Sequence, residues 1–578
     1  MLDHLIRGAT IVDGTGAPGV VGDVGIRDGR IVAIRSQEDG GVDEDATTVV
    51  DAAGLVLSPG FVDPHTHYDA QLFWDPYATP SNVHGVTSVI GGNCGFTIAP
   101  IKAEDADYMR RLLARVEGMP LVALENGITW DWESFGEYLD RLDGKLGLNA
   151  GFLVGHCAIR RYVMGTDSVG NEASADQVKA MQELLAASLE AGGLGFSTTL
   201  SSTHSDGDGN PVPSRWSTKD ELLALCETTG QFEGTTLEGI VEGCLDQFKD
   251  EEIALFAEMS ATANRAINWN VLTVDAAVPE RVPRQLSASD AATAIGGKVV
   301  ALTMPVLVPM NMSLRNFCAL NLIPGWGEIL SLPVEERIAK LGDPAVREHM
   351  LERANSKEAG VFRRLADFKR YVIGDTFSEA NEGLKGRIVG DIAEERGQDP
   401  FATLVEIASN DELKTVLWPM PTDNNPDSWE LRKSVWEDPR AMIGGSDAGA
   451  HLDRMFGASY TTRFLGDMAR GRQLVSLERA VQMITDVPAR LFGLKERGQI
   501  VEGWHADLVL FDPQTIESDP AELVHDLPGG TPRLTAQSQG ISAVWVNGVQ
   551  TVVDGKATGA TPGTVIKSGR DTETVSAR

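Results

Sequence analysis

The sequence predicts an α/β fold: a (β/α)8 TIM barrel with a small β-sandwich domain formed by both termini and an insertion over the barrel mouth. Three observations lead to this prediction. Both ends of the 578-residue chain contain short strands and glycine turns, the middle repeats strand, loop and helix, and one stretch interrupts that repeat. We assign residues 1–56 and 490–578 to the β-sandwich, 57–489 to the barrel, and about 282–386 to the insertion.

The terminal segments alternate short apolar runs with Asp-Gly or Ala-Gly pairs. The first segment contains LIRGATIVDG and DVGIRDGRIVAI, and the last contains ADLVLFDP and AVWVNGVQTVVDGKATG. Such runs, bounded by turn residues, are typical of short strands. Because both ends have this pattern, we expect their strands to pair in one domain.

The middle of the chain places a polar or glycine-rich loop after each apolar strand. Examples are VTSVIGGNCG, NAGFLVGHCAIR, GGLGFSTTL, RAINWNVLTV and RAMIGGSDAG, and SADQVKAMQELLAASLEAG has helical spacing. In a parallel barrel, functional residues lie at the carboxyl ends of the strands. The Met-, Pro- and Trp-containing stretch after Val282 interrupts this order and fits a substrate pocket or lid, or a packed insertion without a role.

Composition excludes several classes of partner. The formal charge of -33 argues against nucleic acid, which requires clustered Lys and Arg. The five cysteines form no CxxC pair, which indicates reduced thiols in a cytoplasmic protein. The start of the sequence does not resemble a signal peptide, and no apolar stretch approaches the roughly 18 residues of a membrane span. We expect a small-molecule substrate, with homo-oligomer assembly left open.

The segment LVLSPGFVDPHTHYDA predicts a metal site. His65 and His67 follow an apolar strand, and residues i and i+2 of a strand face the same side. Two neutral imidazoles in that geometry suit zinc or another divalent metal. A chance His-x-His pair is the alternative, but the strand-end position and the nearby Asp69 favour ligands.

GLVLSPGFVDPHTHYD and the closing GWHADLVLFD resemble the amidohydrolase superfamily. GVTSVIGGNCGFTIAP and GGSDAG are more narrowly similar to its N-acyl-D-amino-acid deacylase (D-aminoacylase) branch. The resemblance implies that Cys94 is a further metal ligand and that Asp447 is both a metal ligand and the general base toward water, then the acid toward the leaving amine. A structural cysteine and a helix-capping aspartate are the alternatives.

The sequence departs from this branch at two expected histidine ligands. GQFEGTTLEG contains no histidine where the first should lie, and Asn268 and Asn270 occupy the region of the second. Amide oxygens are poor zinc ligands compared with imidazole, so one tight metal site is favoured over two. Glu233 and Glu238 are candidate oxygen ligands.

Four residues are candidates for substrate binding. His156 ends a predicted strand, and His204 lies in a polar loop where it could approach the metal or the substrate. Arg454 resembles an arginine of the branch, and Arg215 is a second candidate, since guanidinium binds carboxylate in a bidentate manner. The lysine of the branch is missing, which puts a simple N-acyl-D-amino acid in doubt. The tryptophans of NWN and PGWG favour a larger, more apolar substrate.

These features predict a metal-dependent hydrolase that cleaves an amide-type C–N bond, most simply that of an N-acyl amino acid or a related N-acyl compound. A hydrolase of a cyclic amide, carbamate or ester on the same scaffold is an alternative, because a fold does not fix the substrate. A non-catalytic metal-binding relative is a second alternative, which retention of both PHTH and GGSDAG disfavours.

Overall fold

The computed structural model describes residues 1–577, which form two compact units. The first unit contains Met1–Val306 and the chain from Asp427 onward, except Asp453–Met455. The second unit contains Leu307–Pro426 together with Asp453–Met455. Within residues 1–577, every helix is too short or too polar to cross a lipid bilayer.

The chain begins with strands that build most of one sheet. They are β1 (Leu2–Ile11), β2 (Val20–Arg27), β3 (Arg30–Ser36), β4 (Ala46–Asp51) and β5 (Val56–Pro59). β1 and β3 pair antiparallel with β2, whereas β4 and β5 run parallel to β1. The predicted strands of the amino-terminal segment are therefore confirmed.

Parallel strands and helices then alternate. The strands are β6 (Phe61–Asp63), β7 (Val86–Gly91), β8 (Asn149–Phe152), β9 (Val154–Gly155), β10 (Gly195–Thr199), β11 (Thr236–Ile240), β12 (Ala266–Trp269) and β13 (Lys298–Thr303). The helices are α1 (Ala106–Val116), α2 (Leu121–Gly127), α3 (Phe135–Leu142), α4 (His156–Met164), α5 (Ala175–Glu190), α6 (Lys219–Thr229), α7 (Asp250–Ala263) and α8 (Arg281–Ala294). Every residue of β6 to β12 is buried, as expected of parallel strands covered on both faces.

The parallel strands pair in chain order. β6, β7 and β8 form one run, and β9 through β13 form another, with Leu153 alone separating β8 from β9. Because the strands within each run are parallel neighbours, their carboxyl ends lie at one edge of that run. At the start of α5, Ser174 and Gln177 form a capping box, a signal that is visible in the sequence.

The second unit is mainly helical. It contains α9 (Trp326–Leu330), α10 (Val334–Gly342), α11 (Pro344–Ala354), α12 (Val389–Arg396), α13 (Pro400–Asn410), and the antiparallel pair β14 (Tyr371–Ile373) and β15 (Leu417–Pro419). Its core includes stacked rings of Phe368 and Phe401, whose centroids lie 4.5 Å apart.

This unit differs from the predicted insertion of 282–386. Val282 lies in α8, and β13 continues the parallel sheet, so the excursion begins only at Leu307. Its end shifts to Pro426 because α12, α13 and β15 contribute to the same core as Trp326. Apolar patterning alone does not separate a barrel helix from a helix of an insertion.

The chain then returns to the parallel sheet. Helix α14 (Pro426–Trp436) precedes β16 (Ala441–Ile443), which pairs parallel with β13. Beyond β16, Ala448 forms a parallel bridge with Thr66, which follows β6. Helices α15 (Tyr460–Ala469), α16 (Leu477–Ile484) and α17 (Asp486–Leu491) complete this part.

The carboxyl-terminal segment contains nine more strands, four of which complete the terminal sheet. They are β17 (Leu508–Phe511), β18 (Glu517–Ser518), β19 (Glu522–Leu527), β20 (Thr531–Thr535), β21 (Ser538–Gln539), β22 (Ile541–Val546), β23 (Val549–Val553), β24 (Lys556–Ala557) and β25 (Val565–Ile566). β17 pairs antiparallel with β5, which joins both ends of the chain in one nine-stranded sheet. β25 departs from the predicted boundary, because it pairs with β8 of the parallel sheet.

Candidate metal centre

His65 and His67 follow β6 and point to the same side of the chain. Both rings are buried, and their centroids lie 5.3 Å apart. The intervening Thr66 faces the other way, since its hydroxyl donates to the carbonyl of Ile90. The alternation of side chains along an extended segment therefore brings the two imidazoles together.

Cys94 joins the two histidines from the turn that follows β7. Its Sγ lies 3.6 Å from Nε2 of His65, and the ligand atoms of His65, His67 and Cys94 all lie within 4.8 Å of one another. Zinc binds sulfur and nitrogen at about 2.0–2.3 Å, so two ligands of one ion lie roughly 3–4 Å apart. All five cysteines are buried, and none is paired with another in this structure.

Asp447 lies next to both imidazoles from the loop after β16. Its Oδ1 is 3.1 Å from Nε2 of His67 and 3.6 Å from Nε2 of His65. Its side chain is 22% exposed, whereas that of His67 is 3% exposed, so the carboxylate faces the open side of the cluster. The backbone is left-handed here, with φ of +59°, and the Asp447 N–H donates to the carbonyl of His65.

Charge is distributed unevenly within this cluster. Burial opposes ionisation of Asp447, but the hydrogen bond and charge of His67 outweigh it and hold the Asp447 pKa well below its usual range. Burial also lowers the pKa of His67, yet Glu117 and Asp447 raise it to about 10. Burial lowers the pKa of His65 to about 3, which leaves a neutral imidazole with a free lone pair.

Two buried glutamates complete the surroundings. Glu238, on β11, accepts a hydrogen bond from the Cys94 N–H at 2.7 Å, and its other oxygen lies 4.0 Å from Nδ1 of His65. Glu117 lies 3.6 Å from Nδ1 of His67. The sequence indicated Glu238 but not Glu117, which directly follows α1 and lies in no recognisable motif. Glu233 is exposed.

His204 lies close to the cluster. Its Nδ1 contacts the Thr199 hydroxyl at 2.8 Å, and its ring packs against Phe96. Burial, together with the charges of His451 and His67, lowers the pKa of His204 to about 3. His204 therefore lies within electrostatic range of His67 and Asp447. His451 itself lies 3.8 Å from Asp447.

His156 has a different environment from the predicted one. It begins α4, and its ring nitrogens contact Thr198 at 2.9 Å and Glu221 at 2.8 Å. Ser197 and Thr199 contact Gly95 and His204, so the intervening Thr198 faces the opposite side of β10. His156 therefore packs with Glu221 and Arg160 on the helix-facing side, and both of its nitrogens are engaged.

The two candidate arginines already have protein partners. Arg215 donates to the carbonyls of His204 and Ser202, which braces the loop that carries His204. Arg454 lies in the second unit, where it pairs with Asp453 and donates to the carbonyl of Phe317. Substrate binding by either arginine remains a prediction.

The two asparagines in the region of the second expected histidine are both buried. Asn268 pairs in register with Glu238, and its amide donates to the carbonyl of Leu237. Among the residues that the structure describes, the side-chain oxygens of Asn268 and Asn270 have no hydrogen-bond partner. Buried amide oxygens therefore stand in the region where the second imidazole was expected.

Comparison with known proteins relates the chain as a whole to amidohydrolases. The sequence pattern of the amidohydrolase family matches residues 48–556. The D-aminoacylase of Alcaligenes xylosoxydans xylosoxydans is 28% identical across 98% of this chain and 97% of that protein. The N-acyl-D-aspartate deacylase of the same organism is 29% identical across 98% of this chain and 95% of that protein.

Solved structures give the same result. A crystal structure of D-aminoacylase is 26% identical, covers 98% of this chain and 100% of that one, and has a TM-score of 0.64. The N-acyl-D-glutamate deacylase of Bordetella bronchiseptica was solved with zinc and a phosphonate that mimics the tetrahedral intermediate. It is 25% identical, with the same coverage and a TM-score of 0.63.

Proposed function

Since this chain belongs to the amidohydrolase family, we propose that it is a metal-dependent hydrolase that cleaves the amide-type C–N bond of an N-acyl amino acid or a related N-acyl compound. The observation that carries this proposal is the position of Asp447, within 3.1 and 3.6 Å of the two imidazoles. A carboxylate beside a metal centre is the group that such a hydrolysis needs for proton transfer.

The proposed scaffold is a closed (β/α)8 barrel that holds this site at the carboxyl ends of its strands. The parallel bridge between Thr66 and Ala448 supports closure, because it joins the segments that follow β6 and β16. Leu153 alone separates β8 from β9, which supports their being parts of one barrel strand. His65, Cys94, Glu238 and Asp447 then arise from separate strands around one mouth.

The donor set fits zinc. Two imidazoles, a thiol sulfur and a carboxylate are ligand types that zinc favours, and the 3.6 Å between Cys94 Sγ and His65 Nε2 suits a shared ion. Zinc is present in the related N-acyl-D-glutamate deacylase structure, and a binuclear centre is described for D-aminoacylase. For this chain we favour one tight ion at His65, His67, Cys94 and Asp447, because Asn268 and Asn270 replace imidazole.

In this mechanism Asp447 carries the proton transfer. A divalent metal held by His65, His67, Cys94 and Asp447 would supply Lewis acidity toward water and the substrate carbonyl. Asp447 accepts the proton of the attacking water, since its low pKa leaves it ionised. It then donates that proton to the leaving nitrogen as the C–N bond breaks. In this proposal His204 contacts the substrate, and Arg215 and Arg454 are candidates for a substrate carboxylate.

The test combines metal analysis with substrate screening. Purified protein should contain about one tightly held zinc per chain and hydrolyse at least one member of a panel of N-acyl amino acids of both hands. The Asp447→Asn protein should keep its fold and most of its zinc but lose turnover. Full activity of Asp447→Asn on a substrate of the wild-type protein would overturn the proposed mechanism.

A further inference from the structure

A buried carboxylate lies behind each of the two histidines. The Nε2 atoms of His65 and His67 face Asp447, whereas their Nδ1 atoms face Glu238 at 4.0 Å and Glu117 at 3.6 Å. Both glutamates are fully or almost fully buried, at 0% and 3% exposure. Each imidazole therefore has one edge toward the ion position and the opposite edge toward a glutamate.

The same glutamates hold the backbone of two other residues at the site. Cys94 has φ of +55° and His451 has φ of +49°, a left-handed conformation that side-chain-bearing residues adopt rarely. The Cys94 N–H donates to the carboxylate of Glu238, and the His451 N–H donates to the main-chain carbonyl of Glu117. Each glutamate thus connects one histidine to one strained residue.

The Nδ1 atom of His65 requires an acceptor. When Nε2 of a histidine binds a metal, Nδ1 carries the proton, and a buried N–H without a partner is costly. Among the described residues, Nδ1 of His65 has no hydrogen-bond partner at present. An approach of about 1 Å by Oε1 of Glu238 would give an ordinary N–H···O hydrogen bond. Glu117 needs a smaller approach to reach Nδ1 of His67.

Direct ligation by Glu238 is the competing role. Its Oε1 accepts a long contact from the Cys94 thiol, whose Sγ lies 4.0 Å away, and an ion could span this distance. However, that oxygen is equally close to Nδ1 of His65, and its ligation would leave this N–H unpaired in the core. Glu117 has a matching position behind His67, which favours one role for both glutamates.

We propose that Glu238 and Glu117 are positioning residues of the metal centre, each accepting the Nδ1–H of one ligand histidine. This fixes the tautomer with its Nε2 lone pair toward the ion, and it sets the orientation of each ring. Glu238 also orients the Cys94 thiol, because its carboxylate accepts a hydrogen bond from the Cys94 backbone N–H. The inference rests on the proposed metal centre but not on the identity of the substrate.

The experiment compares Glu238→Gln and Glu117→Gln with Glu233→Gln, which alters an exposed glutamate five residues before Glu238. Zinc dissociation constants are measured by competition with a chelator, after circular dichroism has verified folding. Proton spectra of the zinc-loaded protein, labelled with nitrogen-15 at its ten histidines, report the Nδ1–H signals. X-ray absorption reports the ligand atoms of the ion.

We expect two strongly downfield Nδ1–H signals in the wild-type and Glu233→Gln proteins. Each of the other two substitutions should move a different one of these signals upfield and weaken zinc binding by about 10–100-fold. The ligand atoms around zinc should stay the same. Absence of the downfield pair from the wild-type spectrum would overturn the inference, even if a variant fails to fold.

Two further outcomes separate the possibilities. Loss of an oxygen ligand in Glu238→Gln would show that Glu238 binds the ion directly, and wild-type zinc affinity in both variants would remove the positioning role. A wild-type protein that binds no zinc would instead overturn the proposed metal centre itself.

Discussion

Oδ1 of Asp447 lies 3.1 Å from Nε2 of His67 and 3.6 Å from Nε2 of His65, so one carboxylate oxygen faces the ligand edges of both histidines. Two backbone hydrogen bonds fix this contact: the Asp447 N–H donates to the carbonyl of His65, and the His67 N–H donates to the carbonyl of Ala448. These bonds hold the loop after β16 beside the segment after β6.

This contact predicts the effect of Asp447→Asn. The amide has the same shape but cannot take the proton of the attacking water, so kcat should fall by about 10²–10⁴-fold. Zinc content should fall much less, because both histidines and Cys94 remain. Steady-state kinetics measures the loss of turnover, and elemental analysis measures the zinc content. The control is Asp427→Asn, which alters an exposed aspartate and should behave as wild type.

Cys94→Ser tests the sulfur ligand. Replacing sulfur by a hydroxyl oxygen keeps the size but removes the soft ligand, so zinc affinity should fall and cobalt-substituted protein should lose its thiolate charge-transfer absorption. Cys226→Ser alters a buried cysteine of α6 and should keep that absorption. An unchanged spectrum in Cys94→Ser would exclude the thiol from the centre.

The response of stability to pH should depend on the metal. Burial raises the pKa of Glu238 to about 8 and that of Asp63 to about 7, above the values near 4 in an unfolded chain. A raised acid pKa stabilises the folded state at low pH, and this contribution is lost as pH rises through the folded value. The metal-free protein should therefore lose stability between pH 6.5 and 8.5.

Zinc should reverse part of that loss, because it competes with protons for its ligands and binds more tightly at higher pH. His65 does not affect this comparison, since its pKa of about 3 leaves it neutral throughout the window. The difference in Tm between zinc-loaded and chelated protein should thus be larger at pH 8.5 than at pH 6.5. Differential scanning calorimetry in both states measures it, and a smaller difference at pH 8.5 would contradict the argument.

His156→Ala separates stability from metal binding. Removal of the ring leaves Glu221 paired with Arg160. It removes two buried hydrogen bonds, one between His156 and Glu221 and one between His156 and Thr198. Such a change should cost about 1–3 kcal/mol of the free energy of unfolding. Zinc content should remain that of the wild type. A normal Tm with lost zinc would instead place His156 at the centre.

The parts of the site that could be predicted share a local signal. His65 and His67 are two residues apart on an extended segment, so their common direction follows from the chain itself. Cys94 and Asp447 depended on their glycine-rich contexts and on the family resemblance. Glu117 could not be found, because its approach to His67 depends on the path of the chain after α1 rather than on any nearby residue.

The errors in prediction have equally specific causes. His156 follows a strand, but it begins α4 and turns to the outer side of β10, which strand alternation alone does not reveal. The predicted insertion began too early because the sequence of α8 and of the polar loop before it resembles an excursion. The pairing of β13 with β12 and β16 shows that the parallel sheet continues beyond α8.

The pairing of β25 with β8 has a consequence for truncation. Val565 and Ile566 lie beside Ala150 and Gly151, so two strands far apart in the sequence are neighbours in one sheet. A protein cut before Val565 would leave that edge of β8 with unpaired backbone N–H and C=O groups, which can pair with another chain. Such a truncated protein should therefore aggregate more readily than the intact one.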